Sequence, residues 1–121
     1  MTPIDFLFRK PKFPVIAVID DWLVTAPSEV LFQRRVAEIR LNPATKYSIV
    51  DSTGEDWEFF PDKMYVVPSL RRKWSKKKII QTYNQSRNCA QTGITYSEKS
   101  LSSKRFETVF TDIVELIERT Q

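Results

Sequence analysis

The chain has 121 residues, a formal net charge of +4, two glycines, one cysteine and no histidine. The length fits one domain, and the lack of histidine removes Ser-His-Asp and Cys-His nucleophiles and His-ligated metal sites together. Gly54 and Gly93 cannot supply a phosphate-cradling loop or a dinucleotide fingerprint, and a single cysteine allows no intrachain disulfide.

Taken in chain order, the N-terminal apolar stretch Ile4 to Phe8 carries Asp5 and is followed by Arg9, Lys10 and Lys12. A signal peptide has the reverse order, charge first and then an uncharged run. Val15 to Ile19 is far short of the roughly 20 apolar residues that cross a bilayer. The expectation is a soluble, cytoplasmic protein with no membrane partner. Pro14 to Ile19 is β-branched and bounded by Pro14 and Asp20-Asp21, which predicts a strand. Asp21 to Thr25 either continues it or returns beside it. Ser28 is positioned to cap a helix reaching about Ile39, with Phe32, Val36 and Ile39 on one face, although 35–41 also alternates as a strand would. Lys46 to Asp51 and Asp56 to Phe60 flank Ser52-Thr-Gly-Glu55 and predict a hairpin, Gly54 supplying positive φ. Met64 to Val67 reads as a further strand. Ser75 is a good N-cap, and Trp74 and Ile79 match a hydrophobic staple. Asn84 to Ser100 reads as a long polar loop. Ser103 is expected to cap a last helix whose Phe106, Val109, Phe110, Ile113, Leu116 and Ile117 form one apolar stripe.

Charge and proline divide the chain at Pro68. Residues 1–68 hold eight Lys/Arg and ten Asp/Glu, residues 69–121 hold eleven and five, and all seven prolines lie at or before Pro68. This predicts a single α+β domain over 1–121, mainly β to 68 and mainly α from 69. A small antiparallel sheet is covered by two or three helices, with the C-terminal helix docked on it. Phe60-Pro61, followed by Tyr65-Val66, resembles the last turn and closing strand of SH3-like small barrels. That resemblance implies a partly open barrel and carries no function.

Most candidate chemistry has a plainer reading. Ile49-Val-Asp-Ser-Thr-Gly54 is similar to the Asp-Ser/Thr-Gly loop of aspartic proteases, but its glycine stands three residues after the aspartate instead of two. A hairpin turn whose side chains bond their own backbone accounts for the same residues. Asp20, Asp21 and Asp51 sit at strand ends, where carboxylates can hold Mg²⁺, yet neighbouring strand residues point to opposite faces. Cys89 has no imidazole to activate it. Trp22, Trp57 and Trp74 fall at strand and staple positions, where core packing is the default. No cofactor, small-molecule substrate or enzymatic activity is expected.

The basic segment is the strongest remaining feature. No acidic residue lies between Asp62 and Glu98, an interval with eight Lys/Arg. Six of them, Arg71, Arg72, Lys73, Lys76, Lys77 and Lys78, fall within eight positions. Lysines in the first turn after Ser75 face the positive end of the helix dipole and cost a few tenths of a kcal/mol each, a cost that a bound anion reverses. The expectation is a non-enzymatic binding protein that contacts nucleic-acid phosphates or an acidic protein through these six residues. The alternative is a protein-interaction module (an adaptor, regulator or toxin-neutralising protein) whose basic segment meets a partner or is merely solvated.

Overall fold

The computed structural model describes residues 3–70 and 73–121, with no side-chain description at 100 and 101. Its strands are β1 (Asp5–Phe6), β2 (Val15–Ile19), β3 (Trp22–Ala26), β4 (Tyr47–Asp51), β5 (Asp56–Phe60) and β6 (Tyr65–Pro68). Its helices are α1 (Glu29–Ala37), α2 (Lys76–Asn84), α3 (Arg87–Thr92), the single turn α4 (Ser100–Ser103) and α5 (Phe106–Glu118). The six strands form one open sheet in the order β1-β6-β5-β4-β2-β3. It does not close into a barrel. Every pairing is antiparallel except β1 with β6, which is parallel. The sheet is therefore mixed, antiparallel as expected in all but the β1–β6 pairing.

Helices cover both faces. Val15, Ala17, Val24, Ile49, Trp57 and Phe59 point to one side and bury Phe32 and Val36 of α1. Ile16, Leu23 and Val50 point to the other and meet Ile79, Ile80 and Tyr83 of α2 and the α5 stripe. β2 is buried on both faces, which is why it reads as a continuous apolar run instead of an alternating one. The α5 stripe is core: Val109, Phe110, Ile113, Leu116 and Ile117 are all buried.

Local signals account for most boundaries. Ser28 Oγ accepts from the Leu31 N–H at 3.3 Å and Ser75 Oγ from the Lys78 N–H at 3.1 Å, so both predicted caps form. The stretch after Ile19 returns beside β2 as β3, Trp22–Ala26, with Asp20 turning at φ 58° and Asp21 also in the turn. Two expectations fail. The 84–100 stretch is not one loop, because Ser86 caps α3 and Gly93 ends it at φ 70°. Its helical residues are mostly polar, so no apolar period announces them. Ser103 does not cap α5 either; it closes α4, and α5 begins after Arg105, which makes no side-chain cap bond. The start of α5 is set by packing, since the Phe106 ring lies against Gly54 and stacks on Phe110 at 5.9 Å.

Candidate functional site

The hairpin loop 52–55 is the hub around which the basic residues gather. Asp51 is 1 % exposed. Its Oδ1 accepts from the Thr53 N–H, the Thr53 hydroxyl and the Glu55 N–H at 2.9, 2.6 and 3.1 Å. Its Oδ2 accepts from Trp57 Nε1 at 3.1 Å and the Lys12 N–H at 3.3 Å. Gly54 holds φ 87°, and a Cβ there would stand 3.0 Å from the Phe106 ring. Its carbonyl accepts the Trp74 N–H at 2.8 Å, which ties the basic segment to the loop. Trp74 is further held by Nε1 donating to buried Asp56 at 2.9 Å.

Arg71 and Arg72 lie outside the described residues. Lys73 is exposed beside Glu55. Lys77 is exposed in the first turn of α2. Lys78 places its ammonium 4.1 Å from the centroid of the Trp74 ring. Lys76 is half-buried and donates to the Lys104 carbonyl at 2.8 Å. That bond brings the start of α5 beside the start of α2. Lys104 and Arg105, 26 or more positions from the basic segment in sequence, thereby join its end of the molecule. Periodicity and charge counting along the chain do not reveal them, because the connection is tertiary. Each helix start also leaves N–H groups without intrahelical acceptors.

Carboxylates temper this end. The Arg9 guanidinium forks onto Glu55 and lies 4.9 Å over the Trp57 ring. Its hydrogen bonds hold Glu55 below the ordinary carboxylate range, with a smaller contribution from the Lys73 charge. Asp112 accepts from Tyr96 Oη at 2.7 Å and Lys104 Nζ at 3.1 Å. The tyrosine bond first, and Lys104 after it, lower its pKa. Stability from such a group is complete above the unfolded carboxylate value near 4 and is lost as pH falls through the depressed folded value. Asp112→Asn should therefore flatten the acid limb of a thermal-stability profile below about pH 4; an unchanged limb would show that the pair contributes nothing.

Asp20, Asp21 and Asp51 do not converge. Asp51 pairs with Val15 at the start of β2, whereas Asp20 and Asp21 follow its last residue. Among the described residues no group of three or more His, Cys, Asp or Glu is placed to hold a metal. Cys89 is buried, with its thiol 3.4 Å from the Ile94 carbonyl. Trp57 and Trp74 are core residues, and Trp22 packs at the core edge. A cavity of about 270 Å³ beside α1 is lined mainly by Ile4, Val36, Ile39, Leu41 and Met64. Gln33 is its one polar side chain, and the Oε1 atom already accepts the Ile4 N–H at 3.1 Å. No helix among the described residues is long and apolar enough to cross a membrane. No protein-family model, curated protein or solved structure matches the chain.

Proposed function

We propose that the chain is a non-enzymatic binding protein that holds nucleic-acid phosphates where α2 and α5 begin. The observation that carries this reading is the Lys76 bond to the Lys104 carbonyl. It sets Lys73, Lys77, Lys78 and Arg105 at an end where two helices begin, α2 capped by Ser75 and α5 without a side-chain cap bond. The first turn of α2 holds no acidic residue, although Glu107 lies in that of α5. Arg71 and Arg72 extend the same segment in sequence. Cations on a helix start position a phosphate backbone without reading bases, so binding is largely independent of sequence.

Counterion release supplies the test. Neutralising four or five phosphates gives a slope of log affinity for duplex against log salt of roughly −4. Replacing Lys76, Lys77 and Lys78 with Gln should flatten that slope by about 2–3. The melting midpoint should fall only modestly, because relief of repulsion at the helix start opposes loss of the Lys76 bond to the Lys104 carbonyl and of the Lys78–Trp74 contact. Fluorescence anisotropy at low salt reads the slope. An undiminished slope in the triple variant sinks the proposal, as does the absence of binding. Pull-down with and without nuclease then separates nucleic acid from an acidic protein: a partner that survives digestion favours the interaction-module reading.

A further inference from the structure

Phe8 is the unexplained group at the same end of the molecule. Of the eight phenylalanines only Phe8 is exposed, at 91 %. Its neighbours are absorbed: Phe6, Phe13, Phe32 and Phe59 form a chain of edge-to-face contacts with centroids 6.2 to 6.5 Å apart. Phe8 instead sits at φ 71°, in the middle of a turn closed by the Arg9 N–H on the Leu7 carbonyl at 2.9 Å. Positive φ is uncommon for a bulky side chain and strains its backbone. Both flanking residues are anchored. The Leu7 N–H bonds the Val66 carbonyl at 3.0 Å, and Arg9 is clamped on Glu55 and Trp57. An aromatic ring is therefore presented to solvent on a fixed backbone next to Arg9, whose partner Glu55 belongs to the same loop 52–55 that holds the Trp74 N–H of the basic segment.

We infer that Phe8 is a stacking platform for an unpaired base, so that the nucleic acid bound at the basic end is single-stranded. The inference rests on the phosphate-binding reading and narrows it. A ring face accepts any base, and the cations where α2 and α5 begin would hold the connecting phosphates, which is the combination that favours single strands without sequence preference. A duplex keeps its bases stacked on one another and offers Phe8 only an edge. Because both neighbours of Phe8 are already pinned, little ordering remains to be done on binding.

The experiment compares labelled random-sequence single-stranded DNA, single-stranded RNA and duplex DNA by anisotropy at low salt. The wild type should prefer single strands. Phe8→Ala should weaken single-strand binding about 5- to 50-fold while leaving duplex affinity and the salt slope unchanged. Phe8→Trp should retain binding, and Phe8→Leu should lose it. Phe8→Gly relieves the positive φ, so it should bind as poorly as Phe8→Ala while melting no lower than wild type. Comparing the DNA and RNA strands shows which sugar is accepted. If Phe8→Ala binds single strands normally, if Phe8→Leu binds as well as wild type, or if duplex is preferred, the stacking role is overturned and the phosphate reading stands. If none of the three probes binds, the phosphate reading fails and stacking fails with it.

Discussion

Replacing Asn88 with Ala should destabilise the domain by about 3–5 kcal/mol and lower its melting midpoint by on the order of 15 °C. β3 is an edge strand of the sheet, and an edge exposes unpaired N–H and C=O groups that invite another strand. One side chain from α3 closes it at Leu23. Asn88 is 0 % exposed. Its Oδ1 accepts the Leu23 N–H at 2.7 Å, and its Nδ2 donates to the Leu23 carbonyl at 2.8 Å and to the Thr120 hydroxyl at 2.8 Å. The amide thus stands in for a neighbouring strand at Leu23, itself 2 % exposed. Truncation leaves both backbone groups buried without partners, each costing about 1–3 kcal/mol. Asn88→Asp separates this account from simple packing. It keeps the shape but faces the Leu23 carbonyl with an acceptor, so it should melt no higher than Asn88→Ala. Hydrogen exchange should show the Leu23 amide losing protection more in Asn88→Ala, where its acceptor is gone, than in Asn88→Asp, whose Oδ1 still accepts it. A near-wild-type Asn88→Asp would remove the strand-mimic explanation.

The same edge is covered one residue pair further on by Gln121, whose Oε1 accepts the Thr25 N–H at 3.2 Å, and by Arg35, which bonds the Thr25 carbonyl and Glu118. None of this is visible along the chain. Asn88 lies in a polar stretch that resembles a loop, because the signal for α3 is a serine cap and a terminal glycine without an apolar face. Features set by neighbours in sequence are legible: the Ser28 and Ser75 caps, the Gly54 hairpin, the doubly buried β2 and the α5 stripe. Features set by distant contacts are not. The two-residue β1 has no period to detect, and its parallel partner lies 60 positions away. Ser103 is a better cap by composition than Arg105, yet Phe106 docking against Gly54 starts α5 later. At the candidate site, the basic segment is legible from charge alone, with its two arginines outside the described residues. Lys104 and Arg105 join it only through the Lys76 contact. Phe8 looks like one more member of the apolar stretch Ile4 to Phe8, and nothing local in the sequence marks the exposure it has in the fold.

Asp51→Ala should cost about 3–5 kcal/mol, the second large effect, for a reason opposite to catalysis. The carboxylate accepts five hydrogen bonds inside a nearly sealed turn. An alanine leaves those donors to compete for the few acceptors nearby. Asp51→Asn is the sharper variant, because an amide has one accepting oxygen and turns an NH₂ toward donors on its other side. It should lose about 2–4 kcal/mol despite nearly identical volume. The damage should also reach the candidate site. Loop 52–55 carries the Gly54 carbonyl that anchors Trp74 and the Glu55 carboxylate that clamps Arg9, so both the basic segment and the Phe8 turn depend on it. Asp51→Asn is therefore expected to weaken single-strand binding and, because the basic segment loses its anchor, to flatten the salt slope as well. A structural hub and a metal-binding carboxylate make different predictions here. Denaturant unfolding distinguishes them: a wild-type midpoint for Asp51→Asn would mean that the turn does not rely on the charge, and Mg²⁺ raising the midpoint of the wild type but not of Asp51→Asn would point to a metal instead.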